Sequence, residues 1–202
     1  FSGMLDDQTG YIRLTRFSRN SDREMKKALQ DLLNQNMTGL ILDLRDNPGG
    51  LLNAAVNILD LFIEKGEMLV WTNGKTQKSK RKYKSKADPL VPKDVNLTVL
   101  VNQGSASASE IVSGVIQDLD RGVVIGQKSF GKGLVQSMYN LNDTTTLKVT
   151  TAKYYTPSGR LIQKEDYFKK GFLEDGFSDE DTLFKTRGGR FVKGGGGITP
   201  DI

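Results

Sequence analysis

Neither cysteine nor histidine occurs among the 202 residues. The first absence excludes disulfides, thiol nucleophiles and thiolate metal sites, and it is compatible with a reducing or an oxidising compartment. The second removes the commonest general base together with the commonest zinc ligand. Proton transfer is thereby left to Asp, Glu, Lys, Tyr or a terminal group, and a Ser-His-Asp triad is impossible. Long apolar runs are missing too: no stretch approaches the roughly 18 uninterrupted apolar residues of a membrane helix, so no integral membrane segment is expected. No basic-then-apolar leader stands at Phe1, and export is not legible from the residues themselves.

What remains is enough for a real core. At this length, 37% apolar residues imply one domain, or one domain with a loose tail. The net charge of +5 is concentrated in Lys75 to Lys86, KTQKSKRKYKSK, where polar residues interrupt the basic ones. This pattern reads as a solvated strand or loop, and no nucleic-acid partner is expected.

Along the chain, Gly10 to Ser18 reads as a strand, and Ser21 with Glu24 has the spacing of a capping box before a helix marked by Met25, Ala28, Leu29, Leu32 and Leu33. Thr38 to Leu44 is nearly continuous aliphatic, as a strand covered on both faces would be, and it runs into Asn47-Pro48-Gly49-Gly50. Helical periodicity returns over Leu51 to Ile63. Met68 to Thr72, the pair Asn73-Gly74 and the basic run suggest a hairpin with a tight turn. Leu97 to Val101 is a short buried strand leading into Gly104-Ser105-Ala106-Ser107-Ala108-Ser109-Glu110, then a helix, and Val123 to Ile125 is a further strand. Such alternation predicts a layered α/β domain with a substantially parallel sheet, whose ligands gather at loops beyond the strand ends. Beyond Val135 the pattern turns β-rich, over Val135 to Leu141 and Thr145 to Tyr155. From Lys164 onward the charged, poorly periodic residues and the glycines of 188 to 197 predict a surface excursion.

Taken alone, SASAS is a helix cap or a small-residue linker. Its position, where a buried strand meets a helix start, also places a hydroxyl beside free amide donors that stabilise an oxyanion. A serine hydroxyl needs an adjacent base, and lysine serves only when burial makes it neutral. Lys132 alone among the lysines is flanked by glycine on both sides, with Phe130 and Leu134 as candidate dry surroundings. The run from Gly126 to Lys132 also mimics the start of a phosphate-binding P-loop, but Gly133 stands where Ser or Thr should be and strand-like residues follow. A P-loop-like nucleotide-binding protein is therefore one alternative, and a non-catalytic scaffold of the same fold another. Gly49 and Gly50 offer backbone N–H groups at a second helix start, and Asp43, Arg45 and Asp46 suit loop orientation by ion pairing.

DLRDNPGG at Asp43 to Gly50, NQGSASASEI at Asn102 to Ile111, GQKSFGKGLVQ at Gly126 to Gln136 and AKYYTPSGRLIQ at Ala152 to Gln163 together resemble the carboxyl-terminal processing peptidases, or tail-specific proteases, of the S41 serine peptidase family. The resemblance implies a ClpP/crotonase-like layered core over 1–163 and an extension over 164–202, with the family's PDZ module outside this chain. It implies Ser107 as nucleophile, selected over Ser105 and Ser109, Lys132 as base, Gln136 orienting the amine, and backbone amides of Ala108 and of Gly49 or Gly50 as the oxyanion hole. It also implies acyl-enzyme chemistry without metal or nucleotide. Its expected partners are protein or peptide substrates with exposed C-terminal tails, an oligomer is compatible with it, and its location is the periplasm or cell envelope.

Overall fold

The computed structural model of the chain describes residues 1–164 and 182–202. Its central strand is β3 (Gly39–Asp43), whose Leu40 and Leu42 are fully buried. On either side it pairs in parallel with β2 (Thr9–Arg13) and β6 (Asn96–Val101), and β7 (Val123–Gly126) continues in parallel from β6. A short antiparallel strand, β1 (Ser2–Met4), completes the sheet in the order β1-β2-β3-β6-β7. Parallel neighbours require crossovers, supplied by α1 (Ser21–Leu33), α2 (Leu52–Leu59) and α3 (Ala108–Asp118). Leu29, Leu32, Ile58, Leu59, Val112 and Val115 pack with Leu40, Leu42, Val99 and Val124 in one contiguous core. Each such side chain contributes about 1.5–3 kcal/mol. α3 is buried along its whole length. The expected α/β core with its substantially parallel sheet is the observed one.

A second, antiparallel sheet takes the order β5-β4-β9-β8, from β4 (Met68–Asn73), β5 (Arg81–Lys84), β8 (Leu134–Asn140) and β9 (Thr146–Tyr155). Three local expectations are corrected. β2 ends at Arg13 rather than Ser18, because its partner β3 ends there and the chain turns to follow the glycine loop, with Phe17 bridging Gly50. Asn73-Gly74 makes no two-residue turn: Thr72 lies opposite Arg81, and the intervening loop winds through a short 3₁₀ turn tied by the Thr76 and Ser79 hydroxyls. Gly74 is glycine because a Cβ there would lie 2.1 Å from the Thr151 carbonyl oxygen. Ser21 does not cap α1; its hydroxyl donates to the Arg16 carbonyl and accepts from the Ser18 N–H.

Past the segment 165–181, which is outside the described residues, β10 (Leu183–Lys185) and β11 (Phe191–Lys193) form a hairpin. The chain then enters the core. The N–H groups of Gly195 and Gly197 donate to the Leu161 and Ile162 carbonyls, Ile198 is fully buried, and Asp201 and Ile202 bond the edge of β7. Beneath this tail lies a buried ion pair, Arg160 with Asp118 at 2.6 Å.

Candidate active site

The three hydroxyls of SASAS have two different fates. Ser105 Oγ is buried and donates to the Leu44 carbonyl at 2.8 Å, and Ser109 Oγ is buried and donates to the Asn47 carbonyl at 2.8 Å. Both are spent on holding the helix entrance against the loop that follows β3. Ser107 stands between them and lines an open cleft. Its backbone, at φ 56° and ψ −110°, lies where a non-glycine residue costs of order 1–3 kcal/mol and persists only when its surroundings hold it there.

What holds it is a pair of buried side chains, each serving two loops at once. Glu110 sits on the first turn of α3 with no solvent exposure. One carboxylate oxygen accepts from the N–H of Ser107 at 2.7 Å and of Lys132 at 2.9 Å; the other accepts from Ser129 Oγ and the Gly131 N–H, both at 2.6 Å. Burial pushes the Glu110 carboxyl up, and these four donors oppose the push. Tyr154, near the end of β9, points its hydroxyl at the carbonyls of the same two residues, Ser107 at 3.1 Å and Lys132. Burial, and then the Glu110 charge, hold the phenol well above its ordinary pKa, so it stays protonated as a donor. The amides of residues 107 and 132 thus share one acid, and their carbonyls share one phenol. Glu110 also closes a capping box with Ser107 at the start of α3; its reach to the Lys132 loop, and the position of Tyr154, leave no local mark in the sequence.

The loop carrying Lys132 does not cradle phosphate. Its Gly131 and Lys132 amides already bind the Glu110 carboxylate, and strand β8 follows in place of a helix. Lys132 is partly buried beside Leu134. Its amine is held below the ordinary lysine pKa, first by burial and then by the charge of Lys148, against a smaller opposing pull from Glu110. Phe130 is not the shield expected of it: the ring is 45% exposed and faces the Lys164 ammonium at 5.4 Å.

The glycine loop meets the serine loop directly. A Cβ on Gly49 would lie 2.8 Å from the Ala108 nitrogen and 2.9 Å from Ser107 Cβ, and φ at Gly49 is 93°. Buried Asn47 fixes the loop, donating to the Leu14 carbonyl and accepting the Gly49 N–H at 2.9 Å. The Phe17 bridge uses the Gly49 carbonyl and the Leu51 N–H, so the Gly50 N–H takes part in neither contact. The Ala108 N–H, first in α3, has no intrahelical acceptor. Behind the loop, Asp43 is buried and accepts three hydrogen bonds from Arg45, one of them from its backbone N–H, and one from Tyr11; burial raises its carboxyl, but these hydrogen bonds outweigh it and hold it at about 2. Asp46 pairs with Asn102.

Gly49, Gly50, Ser107, Ala108, Lys132 and Gln136 therefore line one cleft of about 380 Å³, although the Ser107 hydroxyl and the Lys132 amine are not hydrogen-bonded to each other. A strained serine, a partly desolvated lysine and backbone amides thus converge in one concave site at the strand ends of a layered α/β core. The model of peptidase family S41 matches residues 8–172, and the chain belongs to that family. It is 41% identical over 179 residues to a carboxyl-terminal-processing protease of Synechocystis, covering 86% of this chain and 40% of that one. With carboxyl-terminal-processing peptidase 3, chloroplastic, of Arabidopsis thaliana it shares 42% identity over 156 residues, 75% of this chain and 29% of the relative. The solved photosystem II D1 C-terminal processing protease superposes with a TM-score of 0.68 at 36% identity, over 80% of this chain and 41% of that one. The chain thus spans about 30 to 40% of the length of these relatives.

Proposed function

We propose that this chain is the catalytic core of a serine endopeptidase that cleaves protein substrates near their C-termini, with Ser107 as nucleophile and Lys132 as base. The observation that carries the reading is the shared grip of Glu110 and Tyr154 on residues 107 and 132, which fixes a strained hydroxyl-bearing residue and a partly dry amine in one cleft. The neutral amine takes the Ser107 proton as Oγ adds to the substrate carbonyl carbon. The resulting oxyanion is met by the Ala108 and Gly50 N–H groups; Gly50 is chosen because the Gly49 N–H is engaged by Asn47. The ammonium returns its proton to the departing amine as the peptide bond breaks, leaving an acyl-enzyme. Lys132 then takes a proton from water, the hydroxide displaces Ser107, and the serine regains its proton. Gln136, which lines the cleft four residues beyond Lys132, orients the amine.

Restriction to C-terminal tails rests on the names of the relatives, and location on the family resemblance. Bacterial and chloroplastic enzymes both occur among them, and an exported, envelope compartment is the reading carried over here. No described helix is long and apolar enough to cross a membrane. A fluorophosphonate should label the protein at Ser107, lose the adduct in Ser107→Ala, and react at least about 100-fold more slowly in Lys132→Ala. Labelling that survives Ser107→Ala, or peptide hydrolysis at neutral pH by Lys132→Arg, overturns the assignment.

A further inference from the structure

The cleft carries positive charge beyond that of the reacting amine. Besides Lys132, its charged lining consists of Arg16 and Lys148, and no described lining residue bears a carboxylate. Arg16 precedes Phe17, the residue that brackets the glycine pair through the Gly49 carbonyl and the Leu51 N–H, and the Ser21 hydroxyl holds the Arg16 carbonyl at 3.0 Å. Lys148 lies on β9 directly across from Met138 of β8. Cross-strand partners share a face, and Met138 lies two residues from Gln136 on the same strand face, so the Lys148 ammonium projects over the surface that continues outward from the reacting amine. Neither Arg16 nor Lys148 has an ion-pair partner among the described residues, as is true of most basic residues of the chain; what sets these two apart is their place in the cleft. Around them the lining is apolar, with Leu51 and Met138 strongly exposed.

Two uncommitted cations in a concave site concentrate field and select the opposite charge. We infer that Arg16 and Lys148 are specificity-determining residues that bind a carboxylate of the substrate peptide close to the scissile bond, so that the cleft takes acidic segments set among apolar residues. This rests on the peptidase reading above. The carboxylate comes either from an Asp or Glu side chain or from the free C-terminus of a short tail, and the two are separable by experiment.

The test is a set of quenched fluorescent peptides in which Glu or its isostere Gln is placed in turn at each of three positions on either side of the cleaved bond, each peptide made with a free and with an amidated C-terminus. At low ionic strength, kcat/KM for Glu over Gln should reach about five-fold at one position at least, or amidation should lower kcat/KM by about the same factor, and either preference should fade in added salt. The first result assigns the side chain and the second the terminus. In Lys148→Gln or Arg16→Gln the ratio should fall toward one, and in Lys148→Glu it should fall below one. Because the readout is a ratio within one enzyme, any common effect of Lys148 on the lysine base cancels. Hydrolysis of all peptides at equal rates overturns the inference while leaving the peptidase intact. No hydrolysis of any peptide, together with no fluorophosphonate adduct at Ser107, overturns both.

Discussion

A lysine is useful as a base to the extent that its protein keeps it uncomfortable. The Lys132 amine is held below the ordinary value of 10.5 by burial and by Lys148, and this has a thermodynamic signature. Below the lowered pKa the fold must carry an ammonium in a partly dry cleft, whereas above about 10.5 the amine is neutral in folded and unfolded chains alike and the penalty disappears. Lys132→Met should therefore abolish peptide hydrolysis and raise the thermal midpoint at pH 7, with the gain shrinking as pH rises from the lowered pKa to about 10.5 and absent above it. Melting curves of the two proteins across pH 7 to 11 check the sign; a midpoint that falls at pH 7 would mean the amine is a support. Asp43 works in the opposite sense. Its carboxyl, at about 2 against an ordinary 3.8, stabilises by about 2 kcal/mol above pH 4, and that contribution is lost as pH falls toward 2.

At the level of elements, the decisive contacts join segments that no local pattern connects. Glu110 reaches Lys132 across 22 residues of chain and Tyr154 reaches Ser107 across 47. Tyr154→Phe keeps the ring packing and leaves two carbonyls without their donor, at about 1–3 kcal/mol. It should lower kcat by roughly 10- to 100-fold through displacement of the reacting groups, with KM little changed. A KM rise at constant kcat would show that the phenol serves binding. This separation also marks what was legible in advance. The aliphatic run of β3, the three-and-four spacing of α1 and the small residues before α3 announce the parallel core, because each records its own burial. Ser21 and Asn73-Gly74 carry correct local signals that tertiary partners, the Arg16 carbonyl and β9, redirect. β1 is too short to show alternation. The proposed choice of Gly50 over Gly49 depends on where the Asn47 side chain points, which composition does not encode.

For the molecule as a whole, the tail is a structural member of the site. The Ile198 N–H donates to Ser129 Oγ at 2.7 Å, and that hydroxyl donates onward to Glu110. Fully buried Ile198 also packs against Gly114 of α3, where an added Cβ would meet it at 3.0 Å. Ile198→Ala should cost about 2–5 kcal/mol and lower the thermal midpoint by roughly 5–15 °C; an unchanged midpoint in a differential scan would separate the tail from the core. The clamp has a temporal consequence as well. A ribosome releases Ser107 well ahead of Tyr154 and Ile198, so on the proposed chemistry a nascent polypeptide carries its serine unarmed until those later fastenings have emerged.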